Sequence, residues 1–243
     1  MIINIFCDAS IDLDKKIACG GCYIVSQNFN NHTSEIGYRR MIQLNATNNS
    51  AEILAIWTGV VEALRLRQTY PGAIFRLFSD SKISLYGLRD WLKSWVARMG
   101  DDGKLVSSNG QPVCNQQTFI DIFNLIVENN LRIEFYHQRG HVKERHMPMS
   151  QARAQFIKAN KVAPEGIGLT IEALCDFNEI IDLITRKAVH SYINQGILLE
   201  NTEVIGIVPL EFYIRNTMLH QYIRCIDKTT VISRHDFKGG YNQ

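Results

Sequence analysis

Apolar positions recur along this chain with two periods, and each change of period marks an element. Residues 2–8, 20–27 and 34–43 are rich in β-branched and aromatic residues and are separated by Gly, Asn and Asp turns. That pattern predicts three strands in an antiparallel meander. From Asn48 the period lengthens: Ile53, Trp57, Val60, Val61 and Leu64 share one helical face, and Pro71-Gly72 ends the helix. Residues 73–79 (AIFRLFS) are apolar enough for a central fourth strand. Leu85, Leu88, Trp91, Leu92 and Trp95 mark a further helix, residues 99–113 a polar loop, and Phe119, Ile122, Phe123 and Ile126 another helical face. Residues 131–137 alternate again as a fifth strand. The order β-β-β-α-β-α-α-β predicts an α/β fold: a five-stranded mixed sheet, three antiparallel strands then parallel strands, flanked by helices.

Beyond His141 the signal thins. A short helix is expected around 151–159, a Pro-Glu-Gly turn at 164–166, and a strong helix over 176–193 with Phe177, Ile180, Ile181, Ile184 and Ala188 on its apolar face. Residues 204–208 and a helix opened by Pro209 and running to about 224 append further structure, and the last nine residues (HDFKGGYNQ) are expected to fray. There is no internal repeat.

Composition narrows the class. With 243 residues, 46% hydrophobic and 21% charged, the chain reads as an ordinary globular protein able to bury a sizeable core. No run of about 18 apolar residues occurs, and Met1 leads straight into a strand-like stretch without a basic region or a small-residue cleavage site. A mature cytoplasmic protein with no membrane partner is therefore expected. A formal net charge of +2 neither announces nor excludes a polyanionic partner. The six cysteines read as reduced, apolar packing residues. Cys19-Gly-Gly-Cys22 has metal-ligand spacing but no second pair, and structural zinc needs four ligands.

Four acids fall where this architecture can gather them. Asp8 ends the first strand, Asp80 ends the fourth, Glu52 lies in the first turn of the first helix, and Asp182 lies in a late helix. Neighbouring first and fourth strands would bring Asp8 and Asp80 out together at the carboxyl edge of the sheet, where ligands of open α/β sheets bind. Such a cluster needs cations. Three of the acids have a ready structural reading: Asn49 and Glu52 have capping-box spacing, Asp80 is placed to cap the next helix, and Asp182 is placed as a solvated helix residue. Asp8 is less easily dismissed, because it ends an apolar strand with no helix start directly behind it.

The motifs in order are Phe6-Cys7-Asp8-Ala9-Ser10 with Gly20-Gly21-Cys22-Tyr23, then Thr47-Asn48-Asn49-Ser50-Ala51-Glu52, Ser79-Asp80-Ser81, Gly140-His141, and Asn178-Glu179-x-x-Asp182 followed by Arg186-Lys187-Ala188. Together they resemble the successive motifs of type 1 ribonucleases H, over residues 1–141 and 176–189. The resemblance implies a ribonuclease H-like fold and a metal-dependent endonuclease that hydrolyses the RNA strand of RNA–DNA hybrids, leaving 3′-hydroxyl and 5′-phosphate ends. It implies two Mg²⁺ or Mn²⁺ ions per site, with Asp8 bridging both, Glu52 and Asp80 completing one position and Asp182 the other. His141 matches a mobile histidine that shuttles a proton or assists product release.

The resemblance also assigns substrate contacts. Thr47, Asn48 and Asn49 match the segment that touches the backbones and minor groove, and Cys7 and Ser10 lie near the scissile strand. Trp91 and Trp95 match the helix entering a basic protrusion, with Asn115 at its exit; here Asp101 and Asp102 dilute Lys93, Arg98 and Lys104. The larger departure is the stretch between His141 and Asn178. The expected division is a catalytic domain over 1–193 with an insertion at about 142–175, then a C-terminal extension over 194–243, with the insertion or extension as a lid, a substrate-contacting arm or a partner surface. No separate hybrid-binding domain is expected ahead of it. Two other readings stay open: a resolvase- or transposase-like nuclease on the same fold, and a non-catalytic nucleic-acid-binding module.

Overall fold

The computed structural model describes residues 1–99 and 103–205. Three long strands, β1 (Ile2–Asp12), β2 (Ile17–Gln27) and β3 (Thr33–Leu44), form the antiparallel meander, each longer than the apolar pattern alone suggests. α1 (Asn48–Thr69) leads to β4 (Ile74–Ser79), which pairs parallel to β1 and puts Cys7 beside Ser79. The helix after β4 is broken: α2 (Lys82–Tyr86), a π-helical turn (Gly87–Trp91) and α3 (Leu92–Ala97) follow one another. α4 (Gln116–Glu128) and β5 (Ile133–His137) come next, then α5 (Met149–Asn160), a 3₁₀ turn (Pro164–Ile167) and α6 (Ile171–Gln195).

The sheet holds six strands in the order β5-β4-β1-β2-β3-β6, one more than the five expected. The sixth, β6 (Thr202–Ile205), lies parallel to β3 in the C-terminal extension. It is held by Arg39 pairing with Glu203, Arg40 bonding the Glu200 carbonyl, and the Arg40 amide donating to Asn201 O at 3.0 Å. A four-residue strand docked partly by charge carries little of the apolar alternation that marks the others. The expected helix over 209–224 lies outside the described residues.

Strand alternation sorts the core into two layers. Ile3, Ile5 and Cys7 face α1, whose buried residues occur on every side because it is packed between the sheet and α2–α4. Phe6 and Phe78 point the other way and stack at 4.7 Å; Phe78 meets Tyr136 at 5.2 Å, and Tyr136 meets Phe156 of α5 at 6.3 Å. The same alternation separates Cys19 and Cys22: Cys19 packs with Ile42 and Ala188, whereas Cys22 joins the α1 layer.

The 142–175 stretch is sewn into this second layer by polar contacts. Buried Asn4 donates to Gln27 Oε1 at 3.0 Å, and Gln27 Nε2 donates to the carbonyls of Ile167 and Gly168 at 3.2 and 3.0 Å. At the edge of the sheet the Asn160 side chain accepts from the His137 amide at 2.8 Å and donates to the His137 carbonyl at 2.7 Å, so it pairs with strand β5 as another backbone would. Among the described residues no helix is long and apolar enough to cross a membrane.

Candidate active site

Two adjacent glycines on β2 let the helices close on Asp8. In the β1–β2 register Asp8 lies opposite Gly21 and Ala9 opposite Gly20. A Cβ on Gly20 would stand 2.7 Å from the Ala55 backbone nitrogen of α1, and one on Gly21 would stand 3.0 Å from Thr185 Cγ2 of α6. With no side chain at either place, α1 delivers Glu52 from one face and α6 delivers Asp182 from the other. Gly140 does the same in the loop after β5: a Cβ there would fall 1.8 Å from Asp80 Oδ2.

Asp8, Glu52 and Asp80 converge, each offering one oxygen, with those atoms all within 4.8 Å of one another. None is occupied by the structural role it could have had. The N-cap of α1 is Thr47, whose hydroxyl accepts from the Ser50 amide while Ser50 Oγ accepts from the Thr47 amide, so Asn49 and Glu52 do not form the capping pair. Ser81, not Asp80, caps α2. Asp182 is 7% exposed rather than solvated.

Asp8 Oδ2 and Glu52 Oε2 are buried without a hydrogen-bond partner. Burial, then the charges of Asp80 and Glu52, hold the Asp8 carboxyl well above the usual carboxylate range. Burial and the Asp80 charge push Glu52 up to about 8. Asp80 is raised by burial, with His141 drawing it back. Three close carboxylates cannot all ionise at neutral pH without a countercharge, and two bare, buried, oxygen-only acceptors fit a hard divalent cation. On that ground the residues fit the ion that the sequence motifs imply.

Asp182 belongs to a second cluster. Its oxygen lies within 4.8 Å of donors on His141 and Glu144. Arg186 forks onto both of its oxygens, Nε to Oδ1 at 2.8 Å and Nη2 to Oδ2 at 2.6 Å, and reaches Glu144 Oε1 at 2.9 Å. His141 Nδ1 pairs with Glu144 Oε2 at 3.0 Å. The two clusters sense each other, since the Asp182 charge raises both Asp8 and Asp80. Gln138 donates to Asn178, both buried, and ties the His141 loop to α6 one helical turn before Asp182. Glu144 and Gln138 were missed from sequence, and Asn178 was reached only as part of its motif. His141-x-x-Glu144 was legible as a spacing, whereas the Gln138–Asn178 contact joins residues 40 apart and gives no local signal.

The other expected contacts scatter. Asn48 and Asn49 are exposed beside Thr47 at the start of α1, and Ser10 is half-buried on β1. The Cys7 side chain is fully buried against α1 and offers a substrate no surface. Trp95 is 7% exposed and packs edge-on against Phe119 at 5.2 Å, whereas Trp91 is 38% exposed. Asn115 precedes α4 in the left-handed conformation, φ 54°, and its side chain makes no capping bond.

Residues 2–154 match the family model described as RNase H. A ribonuclease H of Thermosynechococcus vestitus is 32% identical over 96 residues, 39% of this chain and 53% of that protein. One of Ruthia magnifica is 28% identical over 117 residues, 47% of this chain and 70% of that protein. The chain thus spans about half the length of the Thermosynechococcus relative. Among solved structures, the solution structure of the PFV RNase H domain is similar at a TM-score of 0.44 and 16% identity, covering 68% of this chain and 92% of that one. With the family's match spanning more than half of its length and an acidic cluster assembled on its sheet edge, the chain belongs to the RNase H family.

Proposed function

We propose that the chain is a ribonuclease H, a metal-dependent endonuclease that hydrolyses the RNA strand of RNA–DNA hybrids and leaves 3′-hydroxyl and 5′-phosphate ends. The observation that carries this reading is the convergence of Asp8, Glu52 and Asp80 with two buried oxygens left unpartnered. Asp8, Glu52 and Asp80 would hold one Mg²⁺ or Mn²⁺, and Asp182 with Asp8 a second. Bound divalent ions supply Lewis-acid stabilisation of charge at the scissile phosphate and lower the pKa of ligated water.

The protein's own groups do the rest. The carboxylate of Glu144 beside His141 Nδ1 favours the tautomer protonated there, which leaves Nε2 as the basic nitrogen. His141 is thereby set to take or return a proton at the reacting phosphate. Arg139, which lowers the Asp80 pKa, adds positive charge at the same edge. Asn48, Asn49 and the Thr47 turn are exposed where a hybrid's minor groove would pass, with Ser10, Trp91 and Asn115 as further contacts. The catalytic unit in this reading is 1–193, interrupted by the 142–175 insertion and followed by an extension over 194–243. The five cysteines among the described residues, none of them paired, suit a cytoplasmic setting.

The test is cleavage of matched labelled RNA–DNA, RNA–RNA, DNA–DNA and single-stranded RNA substrates with Mg²⁺, Mn²⁺ or EDTA, using the wild type and Asp8→Asn and Asp80→Asn variants. The expected result is metal-dependent cutting of the hybrid's RNA strand, reduced about 10²–10³-fold in both variants, as for loss of a group that stabilises transition-state charge. Cutting of a different substrate would reassign the chain to another nuclease class on this fold, and undiminished cutting by both variants would remove the metal site.

A further inference from the structure

Beside the acidic site runs an open groove of about 1160 Å³, bounded on one side by α2 and the π-helical turn, floored by β5, and walled on the other side by the C-terminal half of α5. Its cations are Lys82, Arg89, Arg139, Lys158 and Lys161, against the acids Asp90 and Glu134. Both acids are already spoken for: Asp90 by Arg89, and Glu134 by Arg76. Among the described residues Lys82, Lys158, Lys161 and Arg139 make no ion pair; Arg139 also acts on Asp80, so three lysine charges line the trough without an acidic partner.

The trough is continuous with the site. Arg139 lines both this groove and the small pocket formed by His141, Glu144 and Asp182. His137 on the floor contacts the Asp80 carbonyl through Nε2 at 3.2 Å. The far wall is rigid, because Phe156 is 2% exposed in the core, Asn160 is bonded to both backbone groups of His137, and Arg89 donates to Ala159 O at 3.2 Å. With the backbone of this wall already fixed, only the lysine side chains are left to be ordered on meeting a ligand.

We propose that the insertion serves as a second nucleic-acid-binding wall, with Lys158 of α5 and Lys161 just past its C-terminus contacting the phosphates of a strand that leaves the acidic site along β5. This rests on the hybrid-cleavage reading and extends its footprint by a surface built from the insertion. The ligand chemistry is that of a polyphosphate backbone, since the lysine charge lies along a trough, with Trp91, 38% exposed, on the opposite wall. Lys158 also sits in the last turn of α5, where a cation complements the helix dipole. A helix-stabilising role would alter melting and leave binding untouched.

The experiment is fluorescence anisotropy in EDTA, at salt between about 50 and 200 mM, with a long hybrid that reaches the groove and a short one confined to the acidic site. It compares the wild type with the Lys158→Ala/Lys161→Asn double variant and with Arg153→Ala, whose side chain pairs with Glu165 outside the groove. Asn is chosen at 161 because that position is left-handed, φ 61°. For the long hybrid the double variant should bind about tenfold more weakly and its salt slope should fall by roughly 1.8, two phosphate contacts at about 0.9 each. The short hybrid and Arg153→Ala should be unaffected. Equal affinity and slope for the double variant and the wild type overturn the proposal, even while the wild type cuts hybrid. If the wild type neither binds nor cuts hybrid, the underlying reading fails. A lysine-dependent slope on single-stranded DNA would then still support the groove, and no lysine dependence on any polynucleotide would overturn it.

Discussion

At the scale of single residues, the site is as much a matter of missing side chains as of present ones. Gly20, Gly21 and Gly140 each stand where a methyl group would strike a neighbour, and in the last case that neighbour is a metal-ligand candidate, Asp80 Oδ2 at 1.8 Å. Gly140→Ala should therefore push the Asp80 carboxylate aside by about an ångström, a displacement that costs on the order of 10²-fold in rate. Circular dichroism should stay native, since the three atoms nearest the added methyl all belong to the Asp80 side chain, while turnover with saturating Mg²⁺ falls. Full activity in this variant would mean that Asp80 is not held by that contact. Asp8 and Asp80 were legible as strand-end residues, Glu52 as a helix-start residue and Asp182 as one of a late helix. β1 in fact runs past Asp8 to Asp12, and the competing roles of Glu52 and Asp80 could be removed only by seeing who caps what. Thr47 with Ser50, and Ser81 alone, satisfy the helix starts and leave Glu52 and Asp80 free.

At the scale of elements, periodicity located nearly every strand and helix but not the way the insertion is used. The expected helix around 151–159 is α5, Met149–Asn160, and the expected helix over 176–193 begins earlier, at Ile171, because Thr170 caps it by accepting from the Ala173 amide at 3.1 Å. The single helix drawn through Leu85 and Trp95 is broken by a π-helical turn where Gly87 packs against Phe119, a contact between segments that no local window reports. The insertion docks through Asn160, which satisfies an edge strand's amide and carbonyl at once. Asn160→Leu keeps the size and strands both backbone groups, so unfolding in urea should show a loss of about 2–3 kcal/mol. A loss below about 0.5 kcal/mol, the level of an indifferent surface change, would mean that the insertion is held by its apolar contacts alone.

At the scale of the whole molecule, the buried acids tie stability to pH. The folded Glu52 carboxyl is raised to about 8, above its ordinary value of 4.5, and Asp8 and Asp80 are raised as well. A carboxyl raised by folding binds a proton that the unfolded chain has released, so its contribution is present at low pH and is lost as pH climbs through the folded value. His137 opposes this: burial lowers it to about 4, so the folded state prefers it neutral, and its contribution is present above its ordinary 6.5 and lost as pH falls towards 4. The two trends conflict below 6.5 and separate above it, where His137 is neutral in both states and the carboxyls alone respond. In EDTA the unfolding free energy should therefore fall between pH 6.5 and 8, by about 1.4 kcal/mol per pH unit for one retained proton, or roughly 2 kcal/mol across the window. Mg²⁺ or Mn²⁺ should reverse the trend by supplying the missing countercharge, raising stability most at the alkaline end, where competing protons are scarcest. Chemical denaturation at several pH values, with and without the ion, measures both halves. A flat profile in EDTA would mean that water reaches the carboxylates and screens them, and a falling profile that the ions leave unchanged would mean that the cluster repels itself without binding them.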